Sequence, residues 1–86
     1  KPYAYPNPVR PDYNGPIAIK NLPLNSNVKI TDIAGRLVFE GEALGAQFIW
    51  NGMDMKGNKV HTGIYYVLST SSDKKEKVST KIAFIQ

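Results

Sequence analysis

The 86-residue chain has no cysteine, one histidine and one tryptophan. Without cysteine there is neither a disulfide framework nor a thiolate metal site, and a cysteine-free chain suits a reducing cytosol and a bacterial surface protein equally well. No apolar run approaches the roughly 20 residues that a membrane-crossing helix needs. Nor does any segment hold apolar residues at helical spacing, so there is no helix for a glycine-rich phosphate loop to open. His61, the only imidazole, would have to anchor any serine-histidine-acid array or zinc shell, and zinc takes at least three protein ligands. The acids Asp12, Asp32, Glu40, Glu42, Asp54, Asp73 and Glu76 fall mostly at predicted loops and strand ends. A chain this small leaves little room for the cleft that paired carboxylates require. These shortages argue against an enzyme, and they assign no catalytic, cofactor-binding or metal-binding residue.

What is present fits one folded domain. Hydrophobic residues make up 42% and charged residues 21%, which separates the chain from disordered tails. It opens at Lys1 with no apolar leader and reads as a single domain, 1–86, belonging to something longer. The net charge of +4 could suggest an acidic partner. Its distribution does not, because Lys74, Lys75 and Lys77 share the stretch "SSDKKEK" with Asp73 and Glu76 and the other basic residues are scattered. That stretch reads as a solvated hairpin tip, with weak attraction to anionic glycan or lipopolysaccharide as the alternative and no nucleic acid expected.

Apolar residues come in short alternating runs with turn signals every eight to twelve residues, the pattern of an all-β sandwich or barrel. "YAYPNPV" carries Pro6 and Pro8, which cannot donate ladder hydrogen bonds, so it belongs at a sheet edge or in an extended lead-in. "IAIKNL" points Ile17 and Ile19 inward; "VKITDI" puts Val28, Ile30 and Asp32 on one face and pairs as a hairpin with "LVFEGE". "GAQFIW" supplies a fifth strand with Phe48 and Trp50 on one face, and "GIYYVLSTS" and "VSTKIAFIQ" make a final hairpin across the lysine-rich tip. Seven antiparallel strands with no helix to cover them predict an immunoglobulin-like sandwich. No internal repeat of 20 to 50 residues is found.

The polar groups concentrate in "WNGMDMKGNKVHTGIYY", from Trp50 to Tyr66. As a calcium loop it is a poor match, since Met55 and Lys56 follow Asp54 and no bidentate glutamate comes later in the loop. As a turn it makes sense: glycines 52, 57 and 63 permit positive φ, Asp54 and Asn58 can bond nearby amides, and Val60 is an apolar pin before Tyr65 enters a strand. The tyrosines and other aromatics are expected mainly in the core, with an exposed sugar-stacking row as the alternative.

That spacing, W-x-G-x-D-x-x-G-x-x-V-x-x-G-x-Y, occurs with "YPNPV" at the front, "VKITDIAGRLV" in the middle and "GIYYV" near the end. With these four motifs the chain resembles the type A C-terminal sorting domains of the Bacteroidetes type IX secretion system, from Tyr5 to Gln86. It looks most like the terminal domain that follows β-propellers in PorZ-like and regulator-type surface proteins, and is more distantly similar to the immunoglobulin-like domain of flagellar hook-capping proteins. The resemblance implies a non-catalytic terminal domain that targets or anchors a longer extracytoplasmic protein, in the periplasm in transit and then at the outer-membrane surface or secreted. Its implied partners are the secretion machinery and the upstream domain of its own chain. A spacer or a glycan- or protein-binding module beside a propeller or a glycan-processing domain is the alternative. The implied recognition surface comprises Asp32, Gly35 and Arg36 from "DIAGR", Gly63, Ile64 and Tyr65 from "GIYYV", and Lys81, Ile82, Phe84 and Ile85 from the last strand.

Overall fold

A computed structural model describes residues 1–85, so the last residue of the expected seventh strand, Gln86, lies outside the described residues. The described residues form seven strands: β1 (Tyr3–Tyr5), β2 (Ile17–Lys20), β3 (Asn27–Thr31), β4 (Leu37–Glu42), β5 (Phe48–Trp50), β6 (Gly63–Thr70) and β7 (Glu76–Phe84). They lie in two antiparallel sheets, one ordered β1-β2-β5 and the other β4-β3-β6-β7. In a constant-type immunoglobulin domain the fourth strand stays with the first sheet. Here β4 pairs with β3, giving three strands on four.

Alternation decides which side of each strand is buried. Ile17, Ile19, Phe48 and Trp50 face inward from the three-stranded sheet, and Val28, Ile30, Tyr65, Val67, Ile82 and Phe84 from the four-stranded one. Trp50, Ile19, Val28, Ile30, Val67 and Ile82 are fully buried, and burying a side chain of this size stabilises the fold by roughly 1.5–3 kcal/mol each. Gly41 lies opposite Val28, and a Cβ there would stand 2.7 Å from the Phe48 ring, so the glycine makes room for that ring.

The expected strands form, with shorter ends. β3 stops at Thr31, and the residues after it leave the sheet as a turn, so Ile33 is exposed and Asp32 takes no place on the inner face. "GAQFIW" contributes only its last three residues as strand. β7 begins two residues earlier than the run "VSTKIAFIQ", and a bulge between Val67 and Leu68 shifts its register against β6. The lysine-rich stretch is the exposed tip, closed by Asp73 accepting from the Lys75 N–H and the Ser71 hydroxyl.

The edge position expected for "YAYPNPV" is found, and the same segment also serves the second sheet. Its first half is β1, at the edge of the three-stranded sheet; Val9 then bridges in parallel to Phe84 at the end of β7. The antiparallel order brings the β1–β2, β3–β4 and β5–β6 connections and the end of β7 to one end of the sandwich. Lys1 lies at the other end, where the Asn21 amide donates to its carbonyl at 3.3 Å.

Candidate functional site

All four motifs of the resemblance reach that one end. The turn "DIAGR" and the loop "DMKGN", 22 residues apart, are one structure made twice. In each, an aspartate Oδ1 accepts from two backbone amides at 2.9 Å: Asp32 from Ala34 and Arg36, Asp54 from Lys56 and Asn58. In each, the fourth residue is a glycine with left-handed φ, +86° at Gly35 and +85° at Gly57, whose N–H donates to the aspartate carbonyl at 3.0 Å. Each aspartate N–H also donates to the carbonyl of the fifth residue, Arg36 or Asn58, so both loops close on themselves. The short polar side chain supplies the acceptor and glycine the positive φ that a Cβ would oppose. The signal, D-x-x-G twice, was in the sequence, but it is too short to register as a repeat of 20 to 50 residues.

These amide contacts hold the Asp32 and Asp54 carboxyls below their usual value, led by the N–H of Arg36 in one and of Asn58 in the other. The Arg36 guanidinium adds to the effect at Asp32, its Nε donating to Oδ2 at 2.9 Å. Both carboxylates are therefore spent on their own loops, and Arg36 remains 83% exposed.

The longer connection from Trp50 is a scaffold. The Trp50 indole is fully buried and donates to the Met53 carbonyl at 2.8 Å; Gly52, at φ +76°, accepts from Val60 N–H at 3.1 Å, and Val60 is buried as the expected pin. Met55 N–H donates to the Val38 carbonyl, which covers one end of the β4 edge. Gly63, by contrast, has a nearly extended φ of +158°, so it serves the strand and not a left-handed turn. Two residues on, the Tyr65 hydroxyl donates to the His61 carbonyl at 2.7 Å, the tyrosine corner seen at the equivalent strand of immunoglobulin domains. Burial pushes the Tyr65 phenol above its usual value. Its ring meets Trp50 and Phe84 edge-on, with centroids 6.4 and 5.4 Å away, and Phe84 meets Trp50 at 5.5 Å. The His61 side chain is exposed.

The front motif closes the last strand. The Asn7 amide donates to the Lys81 carbonyl at 2.9 Å and accepts from the Ala83 N–H at 3.0 Å, as a neighbouring backbone would. Val9 continues the pairing, its N–H donating to Ala83 and its carbonyl accepting from Ile85, both at 2.8 Å. The outer edge of β7 is thereby satisfied from Lys81 to Ile85. This role of Asn7 was missed in the sequence, although an asparagine between two prolines was its visible trace.

Of the ten residues that the resemblance implied, Asp32, Arg36, Gly63, Ile64 and Tyr65 line one open groove of about 600 Å³ between the two aspartate loops. Gly35 faces a separate depression with Leu37 and Thr31. Lys81 and Ile85 are exposed and Ile64 borders on exposed, whereas Tyr65, Ile82 and Phe84 are buried at 7%, 0% and 4%. Those three side chains are built into the core, and of them only Tyr65 also lines the groove. Among the described residues no group of three or more His, Asp and Glu gathers as a metal site, and no helix is long and apolar enough to cross a membrane.

Comparison with known proteins agrees with this geometry. The family model described as a secretion system C-terminal sorting domain matches residues 3–85. Among solved structures, the chain is similar to PorZ of Porphyromonas gingivalis, described as an essential bacterial surface component of the type IX secretion system. The likeness has a TM-score of 0.86 and 37% sequence identity over 99% of this chain and 11% of that one. The chain thus spans about a tenth of the relative's length. No curated protein matches. With the motifs, the three-on-four sandwich and a family model running nearly end to end, the chain belongs to the secretion system C-terminal sorting domains, the signals that direct proteins through the type IX route.

Proposed function

We propose that the chain is the terminal domain of a longer extracytoplasmic protein and that the secretion machinery reads it at the motif-bearing end. The single observation that carries this reading is placement. Asp32, Gly35, Arg36, Ile64, Lys81 and Ile85 lie at or beside the end of the sandwich opposite Lys1. A domain tethered at its Lys1 end would project that surface away from its cargo. Because Asn7 and Val9 already occupy the β7 edge from Lys81 to Ile85, reading is by side chains and loop backbone and not by strand addition there. No step of this role uses chemistry, and the domain itself is non-catalytic; the activity of the protein that carries it is a separate matter.

The test is export of a periplasmic reporter fused to residues 1–86 in a host with the type IX route. The wild-type fusion is expected at the cell surface. A fusion carrying Arg36→Glu, Ile64→Ser and Lys81→Glu is expected to fold and stay in the periplasm; equal export of the two overturns the reading.

One observation favours a second reading, a glycan-binding module that anchors the surface protein. Tyr5, 71% exposed, Ala18 and Ile49 form one cross-strand row on the outer face of the three-stranded sheet, with Tyr3 and Lys20 in the next row. Exposed aromatic rings on a flat sheet can stack on sugars. A glycan array giving no signal that Tyr5→Ala abolishes removes this reading.

A further inference from the structure

The end opposite the motifs carries two of the most exposed large apolar side chains, Leu24 at 75% in the β2–β3 connection and Leu44 at 84% in the β4–β5 connection. The loops that hold them are bonded to each other at the flanking residues. Leu22 N–H donates to Ala46 at 2.9 Å, Asn25 N–H to Gly45 at 2.8 Å and Ala43 N–H to Ser26 at 2.9 Å, while the Asn25 side chain accepts from Gly45 N–H at 3.0 Å. Asn25 and Gly45 both adopt left-handed φ, +55° and +64°, to make this exchange. A non-glycine residue in that region carries a conformational cost, so the two loops form a specified platform. Leu44 shares a shallow depression of about 200 Å³ with Ile49, itself half exposed. Asn21, a second left-handed asparagine at +63°, holds the Lys1 carbonyl beside the first of these loops.

We propose that the Leu24–Leu44 platform is the docking surface for the domain that precedes Lys1 in the parent chain, and that it fixes the sorting domain against that neighbour with the motif end pointing outward. This rests on reading the chain as the terminal domain of a longer protein. The occupant follows from three observations. Asn21 holds the Lys1 carbonyl next to the platform, so a domain preceding Lys1 would meet it at the high effective concentration of a short tether. The similar solved chain has most of its length outside the matched region, which is 11% of it. Leu24, Leu44 and the half-exposed Ile49 are gathered on and beside two loops bonded to each other, and exposed apolar side chains that cluster mark an interaction site where singly scattered ones do not. A second copy would have to displace the tethered neighbour.

The test uses the full-length parent protein. With Leu24→Ser and Leu44→Ser together, proteolytic cleavage just before Lys1 under native conditions is expected to accelerate about tenfold, because an undocked junction opens more often. Ile33→Ser at the motif end, equally exposed, should leave the rate unchanged. Unaltered protein gives an independent readout: amide exchange at residues 22–26 and 43–47 should be slower in the parent than in the 86-residue chain. Parental cleavage in the double variant, or equal exchange in the two chains, overturns the docking. A parent gene encoding no domain before Lys1 overturns the underlying reading instead.

Discussion

Replacing Tyr65 by Phe isolates one hydroxyl at the joint between the motif end and the core. The ring stays, and with it the edge-on contacts to Trp50 and Phe84; only the 2.7 Å bond to the His61 carbonyl is lost. That bond is only partly buried, so water can take over the His61 carbonyl and the larger penalty for a fully buried unsatisfied acceptor does not apply. The net loss is then that of an ordinary hydrogen bond, about 1 kcal/mol, which in a domain of this size lowers the melting temperature by about 4–8 °C. Tyr65→Ala removes the ring too and should cost about 3–5 kcal/mol. The pH dependence gives a second readout. Burial, then the Asp32 charge, raise the folded phenol above its unfolded value of 10.0. A raised pKa means that the stability is whole below pH 10 and is lost as pH rises through the folded value. Tyr65→Phe lacks that loss, so the gap between the two proteins should narrow in thermal scans above pH 10. A Phe variant melting within about 1 °C of wild type at neutral pH, or a gap unchanged at high pH, would refute the corner as a structural joint.

Three further perturbations test other joints. Asn7→Ala should lower stability by about 1 kcal/mol and speed hydrogen exchange of the Ala83 amide, which Asn7 accepts, while the Ile85 amide held by Val9 stays protected. Gly41→Ala drives a Cβ to 2.7 Å from the Phe48 ring and should cost about 1–3 kcal/mol by urea unfolding; a neutral result would mean that the ring has room to move. Asp54 has a lowered pKa, so its contribution is present above the unfolded value of 3.8 and lost as pH falls through the folded one. Asp54→Asn should therefore flatten the acid limb of a Trp50 fluorescence titration below pH 4, and an unaltered limb would contradict the loop bonding.

Sequence reading was accurate where one residue's own preference decides the outcome. Alternation in "IAIK" and "FIW" put Ile17, Ile19, Phe48 and Trp50 inward, and Gly52, Gly57 and Asp54 marked the turns of the longer connection. It faltered where strands end. The period of two in "VKITDI" continues through Ile33, but Asp32 captures two amides of its own turn and takes the chain out of the sheet. It also could not separate a motif residue that faces a partner from one that faces the core, since Tyr65, Ile82 and Phe84 fit a recognition motif and a packed strand equally well.

By itself the sequence determined an all-β domain, its seven strands, its turns and its family, because periodicity, proline, glycine and aspartate act through local backbone geometry. Only the tertiary structure decided that the β3–β4 hairpin joins β6 and β7 in one sheet, that Asn7 and Val9 seal the edge of the last strand some 75 residues away, and that the motifs gather opposite Lys1. Those outcomes depend on hydrogen-bond partners and apolar faces supplied by distant segments, and no local pattern encodes which distant segment will arrive.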